Sequence, residues 1–283
     1  RAAVFEKEND VSMGTTRANS AIVHAGYDPE PGTAMARLNV RGSALTKEQC
    51  AAFDVKYRQI GSLVLAFSDE EMATVRRLYE NGVANGVPGV RVLTREETLA
   101  MEPNLSDAVC GALYAPSAAI VEPWDLALAL AEAAVENGVE LHLETAVTGA
   151  EKISGGWRLH TAKGDFEARA VVNAAGVEAD LVAAMAGEPG FTTIPSRGEY
   201  YLLDKSQGYV VNHVVFQCPN RDGKGVLVSP TVHYNLIVGP NAEPSGREDV
   251  STQADALAFV REKDVKSVPG VKNMLFGGEG IFN

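Results

Sequence analysis

The segment from residue 139 to residue 176 constrains the fold more than any other part of the chain. Its apolar and alternating stretches predict strands at 139–143, 146–152, 157–161, 166–168 and 170–176, with glycine-containing turns on either side of the third strand. A strand, a meander and a buried strand that ends in small residues are typical of a parallel sheet with an antiparallel insertion. We therefore expect a mixed fold of the α/β (α+β) type.

Short polar signals predict where the helices begin. Capping boxes that start at Ser68 and Thr94 each place a glutamate three residues later. A longer helix is predicted over 31–57, with a break at Gly42 and a further capping box that starts at Thr46. After residue 185 the chain turns to short apolar strands separated by turns, which predicts a mostly antiparallel section.

The charge balance excludes some classes of partner. The 283 residues carry a formal net charge of −12, whereas nucleic-acid binding needs a basic face and anionic membranes attract basic segments. A negatively charged substrate would therefore need a local cluster of Arg or Lys. The cysteines Cys50, Cys110 and Cys218 form no C-x-x-C pair, which indicates reduced thiols in a cytoplasmic protein. We predict no metal site and no nucleic-acid partner.

An acidic residue follows the first apolar stretch of the chain. Residues 2–5 read as a buried strand, and Glu6 comes directly after it. In dinucleotide-binding folds an acid at this place binds a ribose, about 20 residues after a Gly-x-Gly-x-x-Gly turn. That turn would lie before Arg1, so we expect the natural N-terminus to lie upstream. A solvated acid at a strand end is the alternative for Glu6.

Two longer runs carry a family resemblance. VFEKE at 4–8 and GTTRANSAIVHAGYD at 14–28 resemble the D-amino-acid-oxidase-like superfamily of FAD oxidoreductases. Within it they are most similar to bacterial glycerol-3-phosphate dehydrogenases of the anaerobic type, with L-2-hydroxyglutarate oxidases second. Further motifs follow in the family's order up to about residue 242: Arg41-Gly42, GSLV (61–64), IVEP (120–123), VNAAG (172–176), RGEYY (197–201), GVLVSPT (225–231) and GPNA (239–242).

The resemblance implies an FAD/NAD(P)-binding Rossmann-like domain and an antiparallel-sheet substrate domain. Residues 1–60 and 105–190 would form the FAD-binding domain, which is incomplete without the glycine turn. Residues 61–104 and 191–275 would form the substrate-binding domain. Residues 276–283 would be a truncated return to the FAD domain.

The resemblance also implies which residues hold FAD. Glu6 would bind the adenosine ribose, and Val147 would offer main-chain contacts to adenine. The loop 14–20 would wrap the flavin, because its small residues let backbone amides approach. Residues 174–176, called the cofactor turn below, would pass close under the cofactor, although a tight strand-to-loop junction is the alternative. The predicted cofactor-binding residues are Glu6, Lys7, Gly14, Thr15, Thr16, Asn19, Ser20, Val147, Ala174, Ala175 and Gly176.

Oxidation of an alcohol requires a base for the hydroxyl proton and an acceptor for the hydride. His24 is the first candidate for the base, since the family places this stretch near the flavin ring, with a hydrogen-bonded structural histidine as the alternative. His233 is the second candidate. Arg197 could hold a phosphate or carboxylate with two hydrogen bonds, with a surface salt bridge as the alternative. Tyr200 or Tyr201 could add a hydroxyl donor, and strand alternation lets only one of them face the site.

The resemblance predicts hydride transfer from sn-glycerol 3-phosphate to FAD, which gives dihydroxyacetone phosphate. Oxidation of L-2-hydroxyglutarate or of an amine by the same fold is one alternative, and a cofactor-free, inactive fragment is another. The expected partner is a small anionic substrate, either glycerol 3-phosphate or a 2-hydroxy acid. Three points stay open for the parent protein. It could pass electrons to a partner subunit or a quinone, it could form a homo-oligomer, and it could lie at the inner face of the membrane as a peripheral protein.

Overall fold

A computed structural model describes residues 1–188, 190–219 and 225–273. The chain forms two compact units. The first unit consists of Arg1–Asn19, Pro123–Ser196 and Pro244–Asp249, and the second of Ser20–Glu122, Arg197–Glu243 and the described residues from Val250 onward. The assignment of an FAD-binding and a substrate-binding domain to these units stays a prediction. The predicted return to the FAD domain at 276–283 lies outside the described residues.

Six α-helices and seventeen strands are present in the described residues. The helices are α1 (Ala34–Ala52), α2 (Asp69–Ala84), α3 (Arg95–Met101), α4 (Pro123–Glu136), α5 (Ala179–Met185) and α6 (Ala254–Ser267). The strands are β1 (Ala3–Phe5), β2 (Ile22–Val23), β3 (Tyr57–Arg58), β4 (Ser62–Ala66), β5 (Arg91–Thr94), β6 (Gly111–Ala115), β7 (Ala119–Val121), β8 (Glu140–His142), β9 (Val147–Ile153), β10 (Gly156–Thr161), β11 (Gly164–Ala168), β12 (Ser196–Arg197), β13 (Tyr201–Leu203), β14 (Val214–Gln217), β15 (Leu227–Pro230), β16 (Leu236–Gly239) and β17 (Glu243–Pro244).

The first unit contains a parallel strand pair and a separate meander. β1 pairs in parallel with β8, with Ala3 opposite Glu140 and Phe5 opposite His142. β9, β10 and β11 form an antiparallel sheet through two tight turns. The predicted antiparallel meander is confirmed, and the parallel pairing described in this unit is that of β1 with β8.

The predicted strand at 170–176 is wrong. Residues 170–175 have no regular secondary structure, and Val172 is 88% exposed. An apolar run forms a buried strand only where a neighbouring strand satisfies its backbone groups and another layer covers its side chains. No described strand pairs with residues 170–175, and the chain leads instead into the short 3₁₀ helix Gly176–Glu178 and then α5.

The second unit is built around a seven-stranded sheet in the order β13-β16-β15-β14-β4-β6-β5. Only β14 and β4 are parallel neighbours, and the remaining five pairs are antiparallel. All five residues of β4 are buried, and α2 and α3 pack against its neighbour β6. The mostly antiparallel character predicted for the later part of the chain is confirmed.

A second, smaller sheet in this unit has the order β2-β7-β3. Ile22 lies opposite Ile120 on one side of β7, and Tyr57 lies opposite Val121 on the other side. The sheet places His24 directly after β2 and Glu122 directly after β7. These two ends supply the side chains described below.

The helix starts agree with local capping chemistry at two positions. The Ser68 hydroxyl accepts a hydrogen bond from the amide of Glu71 at 3.2 Å, and α2 begins there. Thr94 and Glu97 form a complete capping box at the start of α3. Such caps satisfy amides that have no partner inside the helix.

The prediction for α1 is wrong at both ends of the helix and in its break, since the helix ends at Ala52. The helix begins after Thr33, whose hydroxyl accepts from the amide of Ala36 at 3.2 Å, and it runs without a break through Gly42. Thr46 does not cap a new helix, because its hydroxyl donates to the carbonyl of Gly42 at 2.8 Å within the same helix. Within the described residues, no helix combines the length and the apolar character needed to cross a bilayer.

Candidate functional site

Glu6 lies at the carboxyl end of β1 in the first unit. Its amide donates to the carbonyl of His142 at 3.0 Å, and its own carbonyl accepts from Thr145 at 2.8 Å. Its carboxylate accepts from the amide of Glu8 at 2.9 Å. An acid at the carboxyl end of a parallel strand is where dinucleotide-binding folds contact a ribose, so the position fits the role predicted for Glu6.

Lys7 connects this strand end to the region of the cofactor turn. Its ammonium group lies 2.9 Å from the carboxylate of Glu178, at the end of the 3₁₀ helix that follows the turn. The hydrogen bond to Glu178 raises the pKa of Lys7. Lys7 is therefore connected to the segment that follows the cofactor turn, within the same unit.

The cofactor turn itself is exposed and held by one amide side chain. Asn173 accepts from the amide of Ala175 at 3.2 Å and donates to the carbonyl of Ala179 at 2.7 Å. Gly176 has a φ of +58°, and a Cβ built at Gly176 would meet no atom within 4 Å. The turn thus presents small residues beside open space, as a close approach by a cofactor requires.

The remaining predicted cofactor residues lie in three places. The loop with Gly14, Thr15 and Thr16 contains a 3₁₀ turn at Thr15–Arg17, and Asn19 closes it by donating to the carbonyls of Thr15 and Thr16 at 3.2 and 2.8 Å. Val147 is the first residue of β9. Ser20 belongs to the second unit. Their contact with FAD stays a prediction.

His24 lies in the second unit with an exposed side chain. Its ring stacks on Phe216, with the ring centres 5.7 Å apart and the planes at 26°. Its backbone carbonyl accepts a hydrogen bond from the side chain of Asn39 in α1 at 3.1 Å. The imidazole is therefore exposed to solvent, and the hydrogen bond from Asn39 holds the main chain that carries it.

The residues after His24 are held by further contacts. Asn85 at the end of α2 donates to the carbonyls of Gly26 and Pro29 at 2.9 and 2.8 Å. Gly26 has a φ of +107°, and a Cβ there would lie 2.6 Å from a methyl group of Val40. Asn85 was not among the predicted residues, because nothing in its local sequence marks it.

Arg197 is paired inside the protein. Its Nε lies 2.9 Å from Oε1 of Glu199, and the side chains of Arg197 and Glu199 are 8% and 0% exposed. Its Nη1 donates to the hydroxyl of Ser251 at 3.3 Å. Because Glu199 already balances this charge, an anionic ligand would have to share the guanidinium with it. Binding of a substrate anion by Arg197 stays a prediction.

Tyr200 and Tyr201 face different surroundings, with Tyr201 at the start of β13 and Tyr200 directly before it. The Tyr200 hydroxyl is hydrogen-bonded to the side chain of Ser20; burial raises the pKa of Tyr200, and this hydrogen bond offsets part of the effect. Tyr201 packs against the main hydrophobic core of the second unit. Of the two, Tyr200 therefore fits the predicted polar role.

His233 lies in the hairpin between β15 and β16, where both of its ring nitrogens have partners. Nε2 lies 2.6 Å from the carboxylate of Glu122, and Nδ1 lies 3.3 Å from the ammonium group of Lys56. Lysine can only donate, so Nδ1 is the acceptor and Nε2 carries the proton. A histidine held in this way has no ring nitrogen left to accept a proton from a substrate.

Several known proteins are similar to this chain over most of its length. The family described as "FAD dependent oxidoreductase" matches residues 1–281. A glycerol 3-phosphate dehydrogenase from Caloramator mitchellensis is 48% identical over 271 residues, which cover 94% of this chain and 56% of that protein. An L-2-hydroxyglutarate dehydrogenase from Salmonella houtenae is 32% identical over 290 residues, which cover 99% of this chain and 67% of that protein. The chain thus spans roughly half to two thirds of the length of these relatives.

Among solved structures, the dithionite-reduced L-α-glycerophosphate oxidase from Mycoplasma pneumoniae with FAD bound superposes with a TM-score of 0.89. The two sequences are 28% identical, and the match covers 99% of this chain and 75% of that one. The family match extends over nearly the whole chain, and the fold and the sequence lead to the same group of proteins. This protein belongs to the family of FAD-dependent oxidoreductases.

Proposed function

We propose that this protein oxidises sn-glycerol 3-phosphate to dihydroxyacetone phosphate in an FAD-dependent reaction. The observation that carries the proposal is His24, an exposed imidazole on a main chain fixed by Asn39 and Asn85. The 48% identity to a glycerol 3-phosphate dehydrogenase supports this choice of substrate. A histidine on a fixed main chain suits proton abstraction from a hydroxyl group.

The residues of the first unit fit FAD as the cofactor. Glu6 offers a carboxylate at a strand end for a ribose, and the cofactor turn offers small residues beside open space. The loop with Gly14, Thr15 and Thr16 would supply backbone amides to the pyrophosphate. FAD, when bound, accepts the hydride that the alcohol carbon loses.

In this proposal His24 takes the proton of the substrate hydroxyl as the carbon–oxygen bond becomes a carbonyl. His233 is less suited to this task, because Glu122 and Lys56 already occupy its two nitrogens. Tyr200, with its hydroxyl hydrogen-bonded to Ser20, would orient the substrate. Arg197 would add positive charge for the phosphate while it remains paired with Glu199.

Oxidation of L-2-hydroxyglutarate is the second candidate function. The 32% identity to an L-2-hydroxyglutarate dehydrogenase favours it, and a carboxylate suits the guanidinium of Arg197 as well as a phosphate does. For either substrate, we propose that the electrons pass to an acceptor such as a partner subunit or a quinone, and that the protein works at or near the cytoplasmic face of a membrane.

Anaerobic flavin photometry tests the proposal. The protein is loaded with FAD, and each substrate is added in the absence of oxygen while the flavin absorption bands are followed. We expect sn-glycerol 3-phosphate to bleach the flavin, and His24→Asn to slow the bleaching while His160→Asn leaves it unchanged. Bleaching by L-2-hydroxyglutarate alone would favour the second candidate, bleaching by an amine alone would indicate an amine oxidase, and no bleaching by any of these compounds would reject an oxidase function.

A further inference from the structure

Arg247 is the centre of a polar cluster in the first unit. Its Nη2 lies 2.6 Å from Oδ2 of Asp180, near the start of α5. Its guanidinium also donates to the backbone carbonyl of Val177 and, at 3.4 Å, to that of Thr193. Val177 directly follows the cofactor turn, so this guanidinium connects the turn to two further segments of the unit.

Asp180 is satisfied by donors on several sides. Besides Arg247, its two oxygens accept from the amides of Thr193 and Leu181, each at 2.9 Å. Its side chain is 8% exposed. The hydrogen bonds from Arg247 and from the Thr193 amide lower the pKa of Asp180 to about 2. The carboxylate is therefore charged at neutral pH and keeps Arg247 in place.

The residues next to the turn have further polar contacts. Lys7 reaches Glu178 from the end of β1, and Asn173 connects the turn to Ala179. The contact to β1, which ends in the predicted ribose acid, and the contact to Arg247 are thus both made by the two residues that follow the cofactor turn. The carboxyl end of the turn is therefore tied to two other segments, while Asn173 bridges the turn from its amino end.

Apolar packing contributes little to the position of the turn. Val172, Val177 and Leu181 are 88%, 38% and 45% exposed. A backbone segment that packing does not hold must be ordered when a ligand binds, and this ordering weakens the binding. The polar contacts are therefore what can hold the turn in a binding conformation in advance.

We propose that Arg247 and Asp180 are positioning residues for the nucleotide cofactor, since they fix the backbone of the cofactor turn through the carbonyl of Val177. This inference rests on the proposed function, in which the turn passes under FAD. Neither side chain needs to touch the cofactor. Arg247 and Asp180 would strengthen binding because they hold the backbone of the turn in one conformation before the cofactor binds.

Equilibrium binding of FAD tests this proposal without an activity assay. The dissociation constant of FAD is measured by the quenching of flavin fluorescence for the wild type and for Arg247→Met, Arg247→Lys and Asp180→Asn. Arg158→Met is the matched control, because Arg158 forms exposed ion pairs with Glu151 and Glu167 in the same unit. The melting temperature of each cofactor-free variant is measured alongside.

We expect the dissociation constant to rise about tenfold or more for Arg247→Met and Asp180→Asn, because one or more backbone residues must then be ordered during binding. Arg247→Lys should fall between these variants and the wild type, since lysine keeps the charge but loses the fork of donors. Arg158→Met should bind FAD as the wild type does. The double variant that combines Arg247→Met and Asp180→Asn should have the same dissociation constant as the single variant that binds FAD less tightly. The two substitutions remove the same contact, so their effects should not add.

Two results would overturn the proposal. Equal affinity of Arg247→Met and the wild type for FAD would remove the positioning role while leaving the proposed function intact. Failure of the wild type itself to bind FAD would reject both. If Arg247→Met does not fold, Arg247→Lys and Asp180→Asn decide the question, and wild-type affinity in both would reject the proposal.

Discussion

The imidazole of His233 donates from Nε2 to the carboxylate of Glu122 across 2.6 Å. Lys56 approaches the opposite ring nitrogen at 3.3 Å, and as a cation it can only donate there. Both ring nitrogens of His233 are therefore engaged by a partner. The ring of His24, the other histidine predicted as a candidate for the base, is exposed and stacks on Phe216.

We expect His24→Asn to lower kcat about 10²- to 10⁴-fold, the usual contribution of a general base. His233→Asn should lower kcat by less than about tenfold, because its ring is committed to Glu122 and Lys56. Steady-state kinetics with sn-glycerol 3-phosphate over a range of pH measures both variants. A larger loss for His233→Asn than for His24→Asn would reverse the assignment of the base.

Asn85 should affect catalysis although it lies outside the reacting groups. Asn85→Ala removes two hydrogen bonds to the loop after His24, at about 1 kcal/mol each, so we expect the free energy of unfolding to fall by about 1–3 kcal/mol. We also expect kcat to fall while KM changes little, because the base loses its placement. Asn137→Ala is the control, since it removes one exposed hydrogen bond at the end of α4. Unchanged kcat in Asn85→Ala would show that the loop does not need this support.

The Asp180 carboxylate should make stability depend on pH at acid values. Its pKa is lowered from 3.8 to about 2 in the folded protein, so its contribution to stability is present above about pH 4 and is lost as the pH falls towards 2. Asp180→Asn should therefore be less stable than the wild type at pH 7, and the difference should shrink between pH 4 and pH 2. Urea unfolding at several pH values measures this. The control Asp165→Asn changes an exposed carboxylate beside His160; a difference between wild type and Asp180→Asn that is constant with pH would contradict the prediction.

Arg197 can be tested for a structural and a substrate role at once. Arg197→Met leaves Glu199 buried without its cation, so we expect a loss of about 3–5 kcal/mol in the free energy of unfolding. Adding Glu199→Gln should restore much of this loss, because no buried charge then remains. Arg197→Lys separates substrate binding from stability: a raised KM for sn-glycerol 3-phosphate with normal stability would support contact with the phosphate. Stability of Arg197→Met equal to that of the wild type would contradict the structural role of the ion pair.

The elements that could be predicted from the sequence are those that depend on neighbouring residues. The caps at Ser68 and Thr94 and the meander from β9 to β11 follow from local hydrogen bonding and from periods of two residues. The family motifs that contain Glu6 and His24 could also be recognised from the sequence, because each motif is continuous in the chain. The helix α1 shows the limit of local signals, since Thr33 caps it and Gly42 does not break it.

The tertiary structure decided which side chains have partners. Glu122 and His233 are separated by 111 positions, and Asp180 and Arg247 by 67, so no local pattern could pair them. The apolar run at 170–176 looked like a strand, but strand formation depends on a neighbour that the residues themselves do not encode. The sequence by itself determined the family, the caps and the candidate residues. Only the fold decided that His233 is bound by Glu122 and that Arg247 holds the segment after the cofactor turn, because these contacts form only when distant segments are packed together.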